Sequence, residues 1–209
     1  MSSHLQVRWL GRVSYAEGLA LQDAIVARKA GELDAPDELL LLEHEPIFTI
    51  GRTQDQSSLR EAGLLPAPVT VTNRGGQATW HGPGQLVGYP LLDLRRRGSD
   101  LHRYLRLLED FVMAICAKFG VPTSRSEGLT GVWSGPRKLA SIGVGVRKWI
   151  SMHGFALNVC GPLEGFAHIT PCGIAGVEMT SLEREGAGEI TVRAVAEAAE
   201  ALAPTWLAA

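Results

Sequence analysis

The chain has 209 residues, of which 45% are hydrophobic and 20% are charged, and its formal net charge is −2. This composition predicts one globular domain over residues 1–209, and the near-neutral charge disfavours a nucleic-acid partner, which needs a basic surface. No apolar run reaches the roughly 18 residues of a membrane span.

The N-terminus lacks the basic and apolar regions of a signal peptide. Three cysteines, Cys116, Cys160 and Cys172, are odd in number and widely spaced, which suits a reducing compartment better than a disulfide framework. We therefore expect a cytoplasmic protein without a membrane partner.

The first half of the chain predicts several strands and one helix. Strands are expected in LQVRWLG (5–11), ELLLLEHEPIFTIG (38–51, with a turn at Pro46), APVTVTNRGG (67–76) and QLVGYPLLDL (85–94). Ser14 and Glu17 have the spacing of a capping box, which predicts a helix that starts there and stops at Gly31.

The second half predicts a long helix, a group of strands and a terminal helix. Residues 99–119 carry an apolar stripe at helical spacing, and Gly120 follows as a stop signal. Residues 129–159 indicate successive strands with tight turns, and a last helix runs from near Thr191 to Pro204. The expected class is α+β, with a mixed or antiparallel sheet flanked by helices.

The segment RGGQATWHGPGQ (74–85) concentrates glycines around side chains that can hydrogen-bond. The chain has no Walker A string, and GVGVRK, which begins at Gly143, lacks the third glycine of a dinucleotide fingerprint. A phosphate-binding loop is therefore not indicated. Arg74, His81 and Gln85 among the glycines favour the wall of a binding site, although a tight turn between strands would have a similar composition.

One cysteine stands in a context that suits a nucleophile. Cys116 falls near the apolar stripe of the long helix, and Cys160 follows a strand, so both read as structural. Cys172 lies in HITPCGIAG, where flanking glycines leave room for a substrate and backbone N–H groups can bind an oxyanion. An inert loop cysteine remains an alternative.

A cysteine thiol of pKa near 8.5 is only about 3% thiolate at pH 7, and lowering that pKa by about 1.5 units needs about 2 kcal/mol. A nearby ammonium can supply this stabilisation. Lys138 begins a strand that turns apolar at once, so it is the candidate; a solvated lysine at the strand end is the alternative.

Three segments closely resemble the signature segments of the lipoyl(octanoyl) transferase family, and they occur in the family's order. They are RGGQATWHGPGQLVGYP, RKLASIGVGVRKWISMHGFALNV and ITPCGIAGVEMTSL, and LLEHEPIFTIGR is also similar. The resemblance runs from about Leu39 to Leu182. It implies the fold of biotin and lipoate protein ligases and an acyltransferase of lipoate biosynthesis that needs no cofactor and no metal.

The resemblance also implies roles for individual residues. Cys172 stands where the family has its acyl-thioester nucleophile, and Lys138 where it has the lysine that lowers the pKa of that cysteine. The implied acyl-binding residues are Arg74, Gly75, Gly76, Gln77, Ala78, Thr79, Trp80, His81, Ser141, Ile142, Gly143, Gly154, Phe155 and Ala156. Trp80 and Phe155 are bulkier than the residues expected there, which could shift the preferred acyl length.

The implied reaction moves an octanoyl group through the cysteine thioester to a lysine. The donor is octanoyl-acyl-carrier protein, and the acceptors are lipoyl domains of 2-oxoacid dehydrogenases and the glycine cleavage H protein.

Other functions fit parts of the same pattern. An ATP-dependent lipoate or biotin ligase would share the fold without using a cysteine. His168, four residues before Cys172, could serve as the base of a cysteine hydrolase or join that cysteine in a metal site. A non-catalytic carrier-binding module is the remaining option. His81 and His153 could hold the pocket or be ordinary core histidines.

Overall fold

The computed structural model describes residues 5–32, 34–54, 57–60, 65–173 and 176–208, and the side chain of Cys172 lies outside what it describes. The strands within these ranges are β1 Leu5–Val13, β2 Asp37–His44, β3 Ile47–Ile50, β4 Val69–Val71, β5 Thr79–His81, β6 Gln85–Leu91, β7 Val132–Ser134, β8 Arg137–Arg147 and β9 Ile150–Asn158. The α-helices are α1 Tyr15–Gly31, α2 Leu101–Lys118 and α3 Val192–Leu207. Short 3₁₀ helices include Leu94–Arg97, Glu164–His168 and Pro171–Gly173.

The strands form two mixed sheets. The larger sheet has the order β1-β2-β6-β9-β8-β7, in which β1 and β2 are parallel and the other neighbours are antiparallel. The smaller sheet has the order β4-β3-β5, with β3 parallel to β4 and antiparallel to β5. The expected α+β class with a mixed sheet is confirmed.

Helices cover both faces of the larger sheet, as the leucine run of β2 shows. Leu39 and Leu41 join the core cluster that contains residues of α2 and α3. Leu40 and Leu42 point the other way and join the cluster that contains residues of α1. Because side chains alternate along a strand, four consecutive leucines are buried only when both sheet faces are covered.

The predicted capping box at the start of α1 is confirmed. The Ser14 hydroxyl accepts a hydrogen bond from the Glu17 backbone N–H at 3.2 Å, and the Glu17 carboxylate accepts one from the Ser14 N–H at 2.9 Å. The hydrogen bonds to Ser14 hold the pKa of the exposed Glu17 carboxyl below its ordinary value. This capping fixes where the helix begins, and Tyr15 is therefore in its first turn.

The predicted end of the last helix is wrong, because α3 continues through Pro204 to Leu207. Proline removes one intrahelical hydrogen bond, and the packing of the following turn offsets that loss. Leu207 is fully buried in the main core, and its carbonyl accepts a hydrogen bond from the Arg97 guanidinium. Tertiary contacts therefore override the local stop signal.

None of the helices in the described part of the chain is both long and apolar enough to cross a bilayer.

Candidate active site

Most of the residues expected to bind an acyl group line one cavity beside the larger sheet. They are Arg74, Gly75, Gly76, Thr79, His81, Ser141, Ile142, Gly143, Gly154, Phe155 and Ala156. Gln77, Ala78 and Trp80 are not part of this lining. Thr79 and His81 alternate with Trp80 along β5, and the Trp80 ring instead packs on Phe48 at a centroid distance of 4.9 Å.

Glycines let four backbone segments approach one another beside this cavity. Gly143 of β8 and Gly154 of β9 face each other in the antiparallel register. A methyl group on Gly143 would lie 3.2 Å from the Gly75 carbonyl oxygen, and one on Gly154 would lie 2.3 Å from that of Gly88. The loop that follows β4 is held against β8 by the hydrogen bond from the Gly75 N–H to the Val144 carbonyl at 2.8 Å.

Arg74 is a buried cation that contributes to the lining. Its guanidinium donates to the Thr49 carbonyl at 2.7 Å, to the Thr49 hydroxyl at 2.8 Å and to the Gly75 carbonyl at 2.9 Å. These acceptors fix the loop to β3, and the guanidinium adds a cation to the lining. The charge lowers the pKa of both His81 and His153.

The histidines of the lining are neutral at pH 7. Burial is the main cause that lowers the pKa of His81 to about 3 and that of His153 to about 4. The His81 Nδ1 contacts Gln85 Oε1 at 2.8 Å, and the amide of Gln85 donates to Asn158 Oδ1 at 2.9 Å, so Nδ1 carries the proton. The two histidines therefore add no charge to the cavity at pH 7.

His153 adopts a left-handed backbone conformation, with φ of 55°, inside strand β9. This conformation is unfavourable for a residue with a side chain and persists only where the surroundings enforce it. Gln22 of α1 accepts a hydrogen bond from the His153 N–H at 2.7 Å, and the imidazole contacts Asn73 Oδ1 and lies nearly perpendicular to the Tyr89 ring. The distortion brings the His153 side chain to the cavity that Gly154 also lines.

Sequence reasoning missed Tyr15, Val87 and Tyr89 in the lining. The β6 residues Val87 and Tyr89 continue the every-second-residue spacing that begins at Gln85, which was a usable signal. Tyr15 had no such signal, because only the packing of α1 on the sheet brings it there. Burial raises the pKa of Tyr15 to about 12, although the Arg74 charge opposes the shift, so this hydroxyl is also uncharged at pH 7.

Lys138 lies at the start of β8 and is completely buried. Its ammonium donates to the Thr130 carbonyl at 3.2 Å and lies 4.8 Å from the centroid of the Trp133 ring. Within the described residues no carboxylate contacts this ammonium. The solvated alternative for Lys138 is therefore wrong.

The turn that contains Cys172 is anchored on both sides. The Thr170 N–H donates to the Ser58 carbonyl at 2.7 Å, and the Gly173 N–H donates to the Thr170 carbonyl at 2.9 Å. Gly173 packs on Gln77, because a methyl group there would lie 2.0 Å from Gln77 Oε1. The turn therefore adjoins the glycine-rich segment. Gln77 contacts this turn and does not line the cavity.

The segment after Cys172 also pairs with the strand that carries Lys138. The Lys138 N–H donates to the Glu178 carbonyl at 2.8 Å, and the Thr180 N–H donates to the Lys138 carbonyl at 3.0 Å. The cysteine Sγ lies outside the described atoms, so its distance to Lys138 Nζ stays a prediction. The pairing and the Gly173 contact bring the Cys172 turn, Lys138 and the glycine-rich segment into one neighbourhood.

The other two cysteines are unsuited to nucleophilic chemistry. Burial raises the pKa of Cys116 to about 12. Burial also raises the pKa of Cys160, and the Glu183 carboxylate adds to that shift. His168, the alternative base, is half-buried, and its ring lies nearly perpendicular to the Phe48 ring at a centroid distance of 6.3 Å.

The described side chains contain no cluster of three or more histidine, cysteine or acidic groups that could hold a metal ion. The pairing of His168 with Cys172 in a metal site falls on a side chain outside the described ones.

Three comparisons with known proteins agree on the fold. The model of the lipoyl protein ligase A/B catalytic domain matches residues 14–202. A crystal structure of lipoate-protein ligase A bound with ATP has a TM-score of 0.75 at 13% identity, over 98% of this chain and 85% of that chain. Biotin protein ligase from Aquifex aeolicus in complex with biotin and ATP has a TM-score of 0.55 at 14% identity, over 93% of this chain and 66% of that one. The expected ligase-like fold is confirmed.

Sequence identity to octanoyltransferases is much higher than sequence identity to these ligases. The octanoyltransferase of Geobacter sulfurreducens is 53% identical over 194 residues, which cover 93% of this chain and 80% of that protein. The family expected from the three sequence segments is thus confirmed. The chain belongs to the octanoyltransferases of the lipoyl protein ligase A/B catalytic domain family, and it is an acyltransferase.

Proposed function

We propose that residues 1–209 form a single catalytic domain that transfers an octanoyl group in two steps through a thioester on Cys172. The donor is octanoyl-acyl-carrier protein, and the acceptors are lysines on the lipoyl domains of 2-oxoacid dehydrogenases and on the glycine cleavage H protein. We place this reaction in the cytoplasm. The observation that carries the proposal is that the Cys172 turn and the buried Lys138 lie beside the glycine-walled cavity.

In the first step the Cys172 thiolate attacks the thioester carbonyl of the donor. The tetrahedral intermediate collapses, the bond from the carbonyl carbon to the pantetheine sulfur breaks, and the departing thiolate takes a proton from the Lys138 ammonium. Before this step the same ammonium stabilises the Cys172 thiolate by its charge. The octanoyl chain then lies in the acyl cavity, joined to the enzyme by a new thioester.

In the second step the ε-amine of the acceptor lysine attacks the enzyme thioester. The Lys138 amine accepts the proton that the attacking nitrogen loses, and the Cys172 thiolate leaves as the amide forms. Exchange between thioesters is nearly thermoneutral, and conversion of a thioester to an amide is favourable. The sequence of steps therefore needs no ATP.

The acyl cavity is lined by glycines and uncharged side chains, with Arg74 as a cation in its lining. Its groups Tyr15, His81 and His153 are neutral at pH 7. The choice of a thioester donor over a free acid is supported by Cys172 and the buried Lys138, because activation of a free acid needs no cysteine nucleophile.

The proposal is tested by incubating the protein with octanoyl-acyl-carrier protein and measuring its intact mass. We expect one octanoyl adduct, located on Cys172 by peptide mapping and absent in Cys172→Ser. Cys116→Ser and Cys160→Ser serve as matched controls and should acylate normally, because burial raises the pKa of both thiols and makes them poorer nucleophiles.

The other candidate functions predict different masses. A ligase would remain active in Cys172→Ser with ATP and free octanoate, and a binding module would form no adduct. Adding an apo lipoyl domain separates a transferase from a hydrolase: a transferase moves the octanoyl mass to the lipoyl domain, whereas a hydrolase releases octanoate and leaves that domain unmodified.

A further inference from the structure

A second cleft borders the two segments that carry the proposed catalytic residues. Its lining includes Pro171, which precedes Cys172, and Met179, which pairs with Lys138 in an isolated β-bridge. The cleft has a volume of about 380 Å³, within the roughly 300–1,000 Å³ typical of ligand pockets. It shares no lining residue with the acyl cavity, so both can be occupied at once.

A thioester substrate needs two such spaces, because it extends in two directions from its carbonyl carbon. The acyl chain occupies one space, and the group attached through sulfur must leave the site by another. In the proposed transfer that group is the phosphopantetheine arm of the carrier protein. The arm has an apolar dimethyl group and methylene groups along its length and an anionic phosphodiester at its far end.

The chemistry of the second cleft matches such an arm. Its apolar surface comes from residues such as Phe166 and Met179, and two cations, Arg60 and Arg184, also line it. Within the described ranges neither guanidinium has a hydrogen bond or ion pair, whereas Arg137 is bound by Glu185 at 2.7 Å. An arginine binds a phosphate oxygen pair through two parallel hydrogen bonds.

The cleft also contains one carboxylate among its described lining, that of Glu164. Two guanidinium groups against one carboxylate leave a net positive charge. This balance favours an anionic ligand over a cationic one.

We infer that this second cleft binds the phosphopantetheine arm of the acyl donor, with Arg60 and Arg184 on the phosphodiester. The inference rests on the proposed function, because it takes its occupant from the donor of that reaction. In the second step the acceptor lysine approaches the carbonyl from the side that the arm has left. The arm must therefore leave the cleft before the acceptor can react.

The test compares three donors that differ in one group at a time. Octanoyl-acyl-carrier protein has the arm, its phosphate and the protein; octanoyl-phosphopantetheine lacks the protein; octanoyl-pantetheine lacks the phosphate as well. The variants are Arg60→Gln, Arg184→Gln and the double variant, and Arg193→Gln, an exposed arginine of α3, is the control. The rate of Cys172 acylation is measured as kcat/KM for each donor.

We expect the double variant to lose about tenfold in kcat/KM with both phosphate-bearing donors, through KM, and to stay within about twofold of the wild type with octanoyl-pantetheine. Equal losses with all three donors, or no loss with any, would overturn the inference. A loss confined to the carrier-protein donor would also overturn it, because the arginines would then contact the protein. If the wild-type protein forms no Cys172 adduct with any donor, the proposed function itself fails and the arm site fails with it.

Discussion

Lys29 and Lys138 are both almost completely buried, but their ammonium groups have different surroundings. Lys29 donates to the Asp37 carboxylate at 2.8 Å and to the carbonyls of Ala35 at 3.3 Å and Pro36 at 2.8 Å. These contacts use all three of its N–H groups and neutralise its charge. Lys138 has one carbonyl acceptor, at Thr130, and the face of the Trp133 ring.

The difference separates a structural cation from one that can act on a substrate. A buried charge is costly unless it is paired, so the protein pairs Lys29 with a carboxylate and gives its charge no further role. The carbonyl and the ring at Lys138 attract the ammonium without cancelling its charge. That charge remains available to an anion such as the Cys172 thiolate.

The largest expected effect is that of Lys138→Met. Removing the ammonium should slow acylation of Cys172 by octanoyl-acyl-carrier protein by about 100-fold at pH 7, because the thiolate and the departing thiol both lose their partner. The loss should be smaller at pH 9, where the Cys172 thiol ionises even without the neighbouring ammonium. Quenched reactions followed by intact mass spectrometry give the rates, with Lys118→Met on the exposed end of α2 as the control. A loss that does not vary with pH would assign Lys138 to positioning or proton transfer instead.

Lys29→Met should lower the stability of the fold and leave the acylation rate nearly unchanged. The variant leaves Asp37 buried with Arg97 at 3.2 Å and the Asp93 N–H at 2.9 Å, and we expect the free energy of unfolding to fall by about 3 kcal/mol. Urea denaturation measures this loss. Acylation by the folded variant should stay within about twofold of the wild type. A large loss of acylation in a variant that remains folded would break the distinction between the two lysines.

The smallest expected effect is the pH dependence of stability that comes from the buried, uncharged histidines His81 and His153. The folded protein lowers the pKa of His81 to about 3 and that of His153 to about 4, whereas in the unfolded chain both are near 6.5. Between these values the unfolded state binds more protons, so stability is complete above about pH 6.5 and is lost as the pH falls.

We expect the free energy of unfolding to drop by about 2 kcal/mol between pH 7 and pH 5.5, a range in which most carboxyl groups stay ionised. Urea denaturation at the two pH values measures this drop. His153→Asn should reduce the drop, because one of the depressed groups is removed. A stability that does not change over this range would show that the imidazoles accept protons in the folded state.

The sequence predicted those parts of the fold and site that depend on local pattern. The apolar run of β2, the Ser14 capping box and the glycine-rich segment are readable from neighbouring residues, and they correctly indicated a strand, a helix start and a cavity wall. Resemblance to a family was needed to group the segments around Arg74, Ser141 and Gly154, because a pairing such as that of β8 with β9 leaves no mark on a single chain.

Features that depend on distant contacts were beyond sequence reasoning. Tyr15 reaches the cavity only because α1 packs across the sheet, and the second cleft needs Arg60 and Arg184 to meet from segments far apart in the chain. The last helix passes through Pro204 because Leu207 packs in the core, a gain that the local rule for proline does not contain. In each case contacts between segments distant in the chain determine the structure.

The contacts of Gly143, Gly154, Gly75 and Gly88 have a consequence for how the chain-length preference of this enzyme could change. The glycines have no side chains that could be trimmed to make more room, and any replacement can only crowd their neighbours. Room for a longer substrate must come from lining side chains such as Val87, Tyr89 and Phe155. Adaptation to new chain lengths is therefore confined to the lining positions that carry side chains.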